Sequence, residues 1–140
     1  MALKSLSTLI KLQKIYVDEQ RVHLAALQDN IDAIDGRIAQ NEIRKAREIE
    51  AARHGEAGQT YGAFMKAMVE EGRVLAKERQ AAAMAVKMAQ DKLAVLFEEQ
   101  KRYEVAEEHR VVAEAREENR RENLEFDEIG GVRHERNKKN

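Results

Sequence analysis

The stretch LKSLSTLIKLQKIYVDEQRVHLAALQDNIDAIDGRI, residues 3–38, decides the fold. Counting in alternating steps of three and four from Leu3 visits Leu3, Leu6, Ile10, Gln13, Val17, Gln20, Leu24, Leu27, Ile31, Ile34 and Ile38. Nine of these eleven positions are Leu, Ile or Val. A helix turns once per 3.6 residues, so such positions form one stripe, and the spacing predicts a coiled-coil seam. After Ile38 the frame weakens, and Ile43, Ala46 and Ile49 continue it with a shift, as a stutter would.

The next break is His54-Gly-Glu-Ala-Gly-Gln-Thr60. Gly55 and Gly58 would each cost a helix interior about 1 kcal/mol, and glycine is favoured just past a helix end. Thr60 suits the cap of a following helix. The tight turn is therefore placed at about 54–60, centred near Ala57. A second seam follows: Tyr61, Met65, Met68, Gly72, Leu75, Arg79, Ala82, Val86, Ala89, Leu93, Leu96, Gln100 and Tyr103. Beyond Tyr103 the apolar rhythm decays, and Glu107, Arg110 and Glu114 occupy the seam positions.

Two seams joined by a short turn lie antiparallel. The predicted fold is all-α: a long antiparallel two-helix coiled-coil hairpin with an overhanging C-terminal helix, in a single coiled-coil domain. Helix one spans about 3–53, helix two about 61–128, and a flexible basic tail 129–140. In this register Leu24 faces the region of Asp91, Leu3 the region of Val112, and Gly72 the region of Ile43. Residues after about Ala113 have no partner.

Composition agrees. The chain has 140 residues, no Pro, Cys or Trp, 36% charged residues and 4% aromatics. Such a chain is either long helix or disordered, and the seams decide for helix. The net charge is −1, but unevenly spread. Residues 98–128 carry twelve acids and six bases, and residues 133–139 four bases and one acid. Most of these charges serve a solvated helix surface.

Enzyme readings fail on inventory. Without cysteine there is no disulfide, thiolate zinc site or cysteine nucleophile. No phosphate-binding glycine loop, dinucleotide turn or H-E-x-x-H motif occurs. His23, His54, His109 and His134 are scattered, and none follows a Glu by three residues as di-iron bundles require. A helical hairpin also offers no concave pocket. No catalytic, metal or cofactor residue is assigned. No run of about 18 apolar residues is present to cross a bilayer, and Met1–Leu12, interrupted by Lys4 and Lys11, does not read as a signal peptide. A cytosolic chain is expected.

Two apolar features lie outside the seams. Leu9, Leu12 and Tyr16 form a second stripe at i, i+3, i+7. It reads either as a docking surface or as a stripe covered by the overhang or a second copy. Met84 and Met88, with Ala81, Ala85 and Val95, fall on the outer side of helix two. They suit an adaptable partner surface, unless the true frame is one step away and they are core.

Several segments together resemble the FliJ family of flagellar type III export proteins (the FliJ/YscO-like stalks). They are Leu3-Lys-Ser-Leu-Ser-Thr-Leu-Ile-Lys-Leu12 followed by Val17-Asp-Glu-Gln-Arg21; Phe97-Glu-Glu-Gln-Lys-Arg-Tyr-Glu104 followed by Glu107-Glu-His-Arg110; and Leu124-Glu-Phe-Asp-Glu-Ile129 before a basic tail. The resemblance covers nearly the whole chain and rests on the joint pattern. It implies a stalk that inserts into the hexameric export ATPase, promotes its assembly and activity, and couples it to the membrane export gate. The family is also described as handling export chaperones. It further implies a cytoplasmic location, peripheral at the inner-membrane export apparatus, no cofactor, no nucleic-acid partner and a monomer when alone. Two other readings stand beside it: a homo-oligomeric coiled-coil scaffold or adaptor without ATPase coupling, and an anionic-surface or nucleic-acid binder acting through Arg133–Lys139.

Overall fold

The computed structural model describes residues 2–55 and 58–139, and side chains over 6–55 and 58–138. Two helices account for nearly all of it: α1, Ala2–Arg53, of 52 residues, and α2, Tyr61–Lys139, of 79 residues. They pack against each other as an all-α helical hairpin, with no strand among the described residues. The chain divides into two compact units: Ile15–Phe97, and Met1–Lys14 with Glu98–Asn140.

The unit Ile15–Phe97 contains the turn. Gly55, at φ +72°, takes the left-handed conformation that ends a helix and that a Cβ disfavours. The Gly55 and His54 amides donate to the carbonyls of Ala52 and Glu50. Thr60 stands at the cap of α2, its carbonyl accepting from the Phe64 amide at 2.9 Å. The expected turn centre, Ala57, lies outside the described residues, as does the side chain of Leu3.

The α1 seam in this unit is Val17, Gln20, Leu24, Leu27, Ile31, Ile34 and Ile38, all buried or half-buried. It then departs from the expected stutter. Burial continues in the original frame, through Asn41, Lys45, Glu48 and Ala52. Ile43 is 51% exposed, and Ile49 and Ala46 are also exposed. The reason lies in α2, whose seam runs unshifted through Met65, Met68, Gly72 and Leu75. A stutter in α1 alone would unwind one helix against a partner that keeps its pitch. The polar residues adapt instead. Asn41 is buried and donates to the Met68 carbonyl at 3.0 Å. Lys45 lies along the seam on its apolar stem and pairs with Glu42 at 2.8 Å. Gly72 accordingly faces Asn41, whose Oδ1 lies 3.4 Å from where a Cβ would sit, and not Ile43. Ile43→Lys is therefore expected to change stability by no more than about 0.5 kcal/mol in a denaturant titration. A loss above about 2 kcal/mol would mean that this side chain is buried after all.

On α2 the expected seam holds: Leu75, Ala82 and Ala89 are buried, and Val86, Leu93 and Leu96 half-buried. Arg79 is the exception. It turns out of the seam to pair with Asp35. Cross-helix bonds fix the antiparallel register. Gln20 Nε2 donates to the Ala89 carbonyl at 3.1 Å, and Arg37 pairs with Glu78 at 3.0 Å.

In the other unit, Gln13 is buried and donates to Glu99 at 3.1 Å. Leu6, Ile10, Tyr103, Glu107 and Arg110 are half-buried, and Arg110 bridges Glu107 and Glu114. Described residues beyond Arg110 are exposed apart from the half-buried Glu117. α2 does not stop at Glu128 before a flexible tail. It continues through Gly130 and Gly131, neither with positive φ, to Lys139. Two glycines weaken a helix, but without proline nothing forces it to end.

Candidate functional site

Among the described residues no cluster of His, Asp and Glu could hold a metal ion, and no helix is long and apolar enough to cross a membrane. The candidate site is the surface where exposed apolar residues of both helices meet. On α1, Tyr16, Glu19 and His23 each precede a seam residue. On α2, Ala85, Met88 and Lys92 do the same. In an antiparallel pair the two preceding flanks lie on one side of the hairpin. The result is an open groove between the helices, where the expected pocket-free surface was flat. One end is lined by Tyr16, Glu19, Gln20, His23, Lys92 and Leu96. The other is lined by Gln20, His23, Leu27, Ala85, Met88, Ala89 and Lys92. Gln20, His23 and Lys92 belong to both ends, so the groove is continuous.

The structure thus brings together two features that the sequence shows separately. Tyr16 and Met88 are exposed and share this groove. Met88 is 69% and Met84 63% exposed, so the α2 frame is not displaced and neither methionine is core. Met84 lies one position further from the seam, and Val95 extends the flank. Leu9 and Leu12 are exposed in the unit formed by the chain termini. His23 and Lys92 escape a reading of either helix alone. Their one sequence signal is that each precedes a seam residue, and its meaning needs the register.

The same flank changes character toward the turn. There Arg37 pairs with Glu78, and the Arg44 guanidinium lies 5.8 Å from the centre of the Phe64 ring. The opposite flank is closed by contacts of its own. Arg21 sits 5.1 Å over Phe97, and Arg79 pairs with Asp35. The hydrogen bond from Arg79 holds the Asp35 carboxyl below its usual range and raises the guanidinium, so both stay charged at neutral pH. The half of the groove flank far from the turn therefore presents unpaired apolar surface: a Tyr ring and a Met thioether around a central ammonium. That chemistry suits protein contact. Aromatic and Met side chains supply area, and Met adapts its shape to the partner.

No family model, curated protein or solved structure matches this chain.

Proposed function

We propose that this chain is a coiled-coil stalk of a type III protein export apparatus, of the FliJ kind, and not an enzyme. It enters the hexameric export ATPase, promotes ring assembly and hydrolysis, and links the ring to the membrane export gate as a peripheral component. The supporting observation is the groove flank. A helical hairpin needs only its seam, yet this one keeps Tyr16, Met88 and Val95 exposed on one side, around Lys92. Charged residues are spread along the remaining surface of this unit, and exposed ion pairs are individually weak, at about 0–1 kcal/mol. Such a surface can turn inside a ring without sticking. The resemblance in residues 3–21, 97–110 and 124–129 supplies the partner class.

The test is the ATPase rate and ring assembly of the export ATPase from the same genome, with and without the full chain. Stimulation is expected. Tyr16→Asp with Met88→Asp should abolish it while the circular dichroism of the chain stays unchanged, because both side chains are solvated in the hairpin. Equal hydrolysis and assembly with and without the chain would overturn the stalk reading and leave the scaffold reading standing.

A further inference from the structure

We propose that residues 122–136 of α2 form a self-association surface, which pairs antiparallel with the same segment of a second copy of this chain. The surface is read from α2 alone, and a chain that pairs through it departs from the lone monomer that the resemblance implies. Phe126, Ile129 and Val132 follow one another at steps of three on one helix face. They are 71%, 53% and 55% exposed. No other part of the unit covers them, because the paired seam gives out near Arg110.

The charges around them say what the occupant is. Glu122 and Glu125 lie on the same face toward the N-terminal side, and Arg133 and Arg136 toward the C-terminal side. All four are exposed, and none makes an ion pair among the described residues. Nearer Arg110 the pairing is mixed: Glu107, Glu114 and Glu117 are paired with Arg110, Arg120 or Arg121, whereas Glu108 and Glu118 are not. An antiparallel copy centred on Ile129 sets Ile129 against itself and Phe126 against Val132. It also sets Glu125 opposite Arg133 and Glu122 opposite Arg136, each twice by symmetry. A parallel copy would stack acid on acid and base on base, so the pattern selects the antiparallel arrangement. Gly130 and Gly131 fall off this face, so the stripe is continuous past them. Three apolar residues per chain make a small interface, well below the roughly 1,200 Å² of a stable complex. The dimer is accordingly weak, and forms as concentration rises.

Sedimentation of the full chain over a concentration series tests this. At low salt the mass should rise from one chain toward two, and high salt should move the midpoint up by about tenfold or more, because the paired charges are exposed. Glu122→Arg with Glu125→Arg makes the face wholly basic, and Arg133→Glu with Arg136→Glu makes it wholly acidic. Each variant should stay a single chain over the same range with unchanged helicity. An equimolar mixture of the two should form a heterodimer, since every opposed pair is then complementary. A wild-type chain of constant single mass at low salt would overturn the proposal. So would variants that associate as the wild type does, or a mixture that stays apart.

Discussion

Leu75→Ala should destabilise the Ile15–Phe97 unit by about 3 kcal/mol, lowering its thermal midpoint by on the order of 10 °C. Leu75 is the one large side chain among the described residues that is completely buried. It lies between the Asp35–Arg79 and Asn41–Met68 rungs, so the layer is closed along the seam by polar contacts on either side. Deleting its branched end removes the transfer energy of the lost carbons and leaves a hole. Buried Leu→Ala changes span about 2–5 kcal/mol, according to how far the surroundings collapse. A helix pair can close in more easily than a globular core, which places the expectation in the lower half of that range. Of the other buried α2 positions, Ala82 and Ala89 have little more to lose, and Met68 is less completely buried than Leu75. Denaturant titration followed by circular dichroism measures the change. Leu75→Met, which keeps the volume, should cost less than about 1.5 kcal/mol. A loss below about 1 kcal/mol for Leu75→Ala would mean that this layer does not hold the helices together.

The hairpin is legible in the sequence because it rests on period alone. Leu24, Leu27, Ile31, Ile34 and Ile38 leave one answer for α1, and Gly55 with Thr60 leaves one place for the turn. The region after Ile38 misleads for a physical reason. Pattern reading follows grease, so Ile43 and Ile49 outweigh Asn41, Lys45 and Glu48. The seam instead follows the pitch of both helices, and Asn41 is tolerated there by a carbonyl on α2 that no reading of α1 supplies. The end of α2 is hidden differently. Pairs such as Glu117 with Arg120 and Arg121 support a helix that has no seam to reveal it. At the candidate site, Tyr16 and Met88 stand out one by one as apolar residues off the seam. Their sharing a groove with His23 and Lys92 depends on which residue of α1 faces which of α2. Gln20, Asn41 and Arg37 fix that, through bonds invisible in one dimension.

Asn41→Leu should stabilise the hairpin by about 2 kcal/mol in the same titration. Asn41 Nδ2 donates to the Met68 carbonyl at 3.0 Å and approaches a Glu71 carboxylate oxygen at 3.5 Å. Its Oδ1 is buried with no hydrogen-bond partner. One net bond is worth roughly 0.5–1.5 kcal/mol, whereas an orphaned buried oxygen costs roughly 1–3. Leu removes both terms and adds buried hydrocarbon worth a further 1–2 kcal/mol or so. Leu also branches where Asn does, and the missing side chain of Gly72 opposite leaves it room, so overpacking does not cancel the gain. A measured loss of stability would mean that the bond to Met68 outweighs the orphaned oxygen. If the gain appears, the native Asn keeps the seam less stable than it could be, as a buried amide does when it specifies register. Register is what places Tyr16 and Met88 on one side of the hairpin. Gln20 still pins α1 to Ala89 in the Asn41→Leu chain, so that variant should keep both the groove and any stimulation of the ATPase. Replacing Gln20 by Leu as well removes the second buried amide that ties α1 to α2 in this unit. The doubly substituted chain, left with only the exposed Arg37–Glu78 and Asp35–Arg79 pairs to hold its register, should remain helical yet lose the stimulation, which separates the stability of the seam from the register it sets.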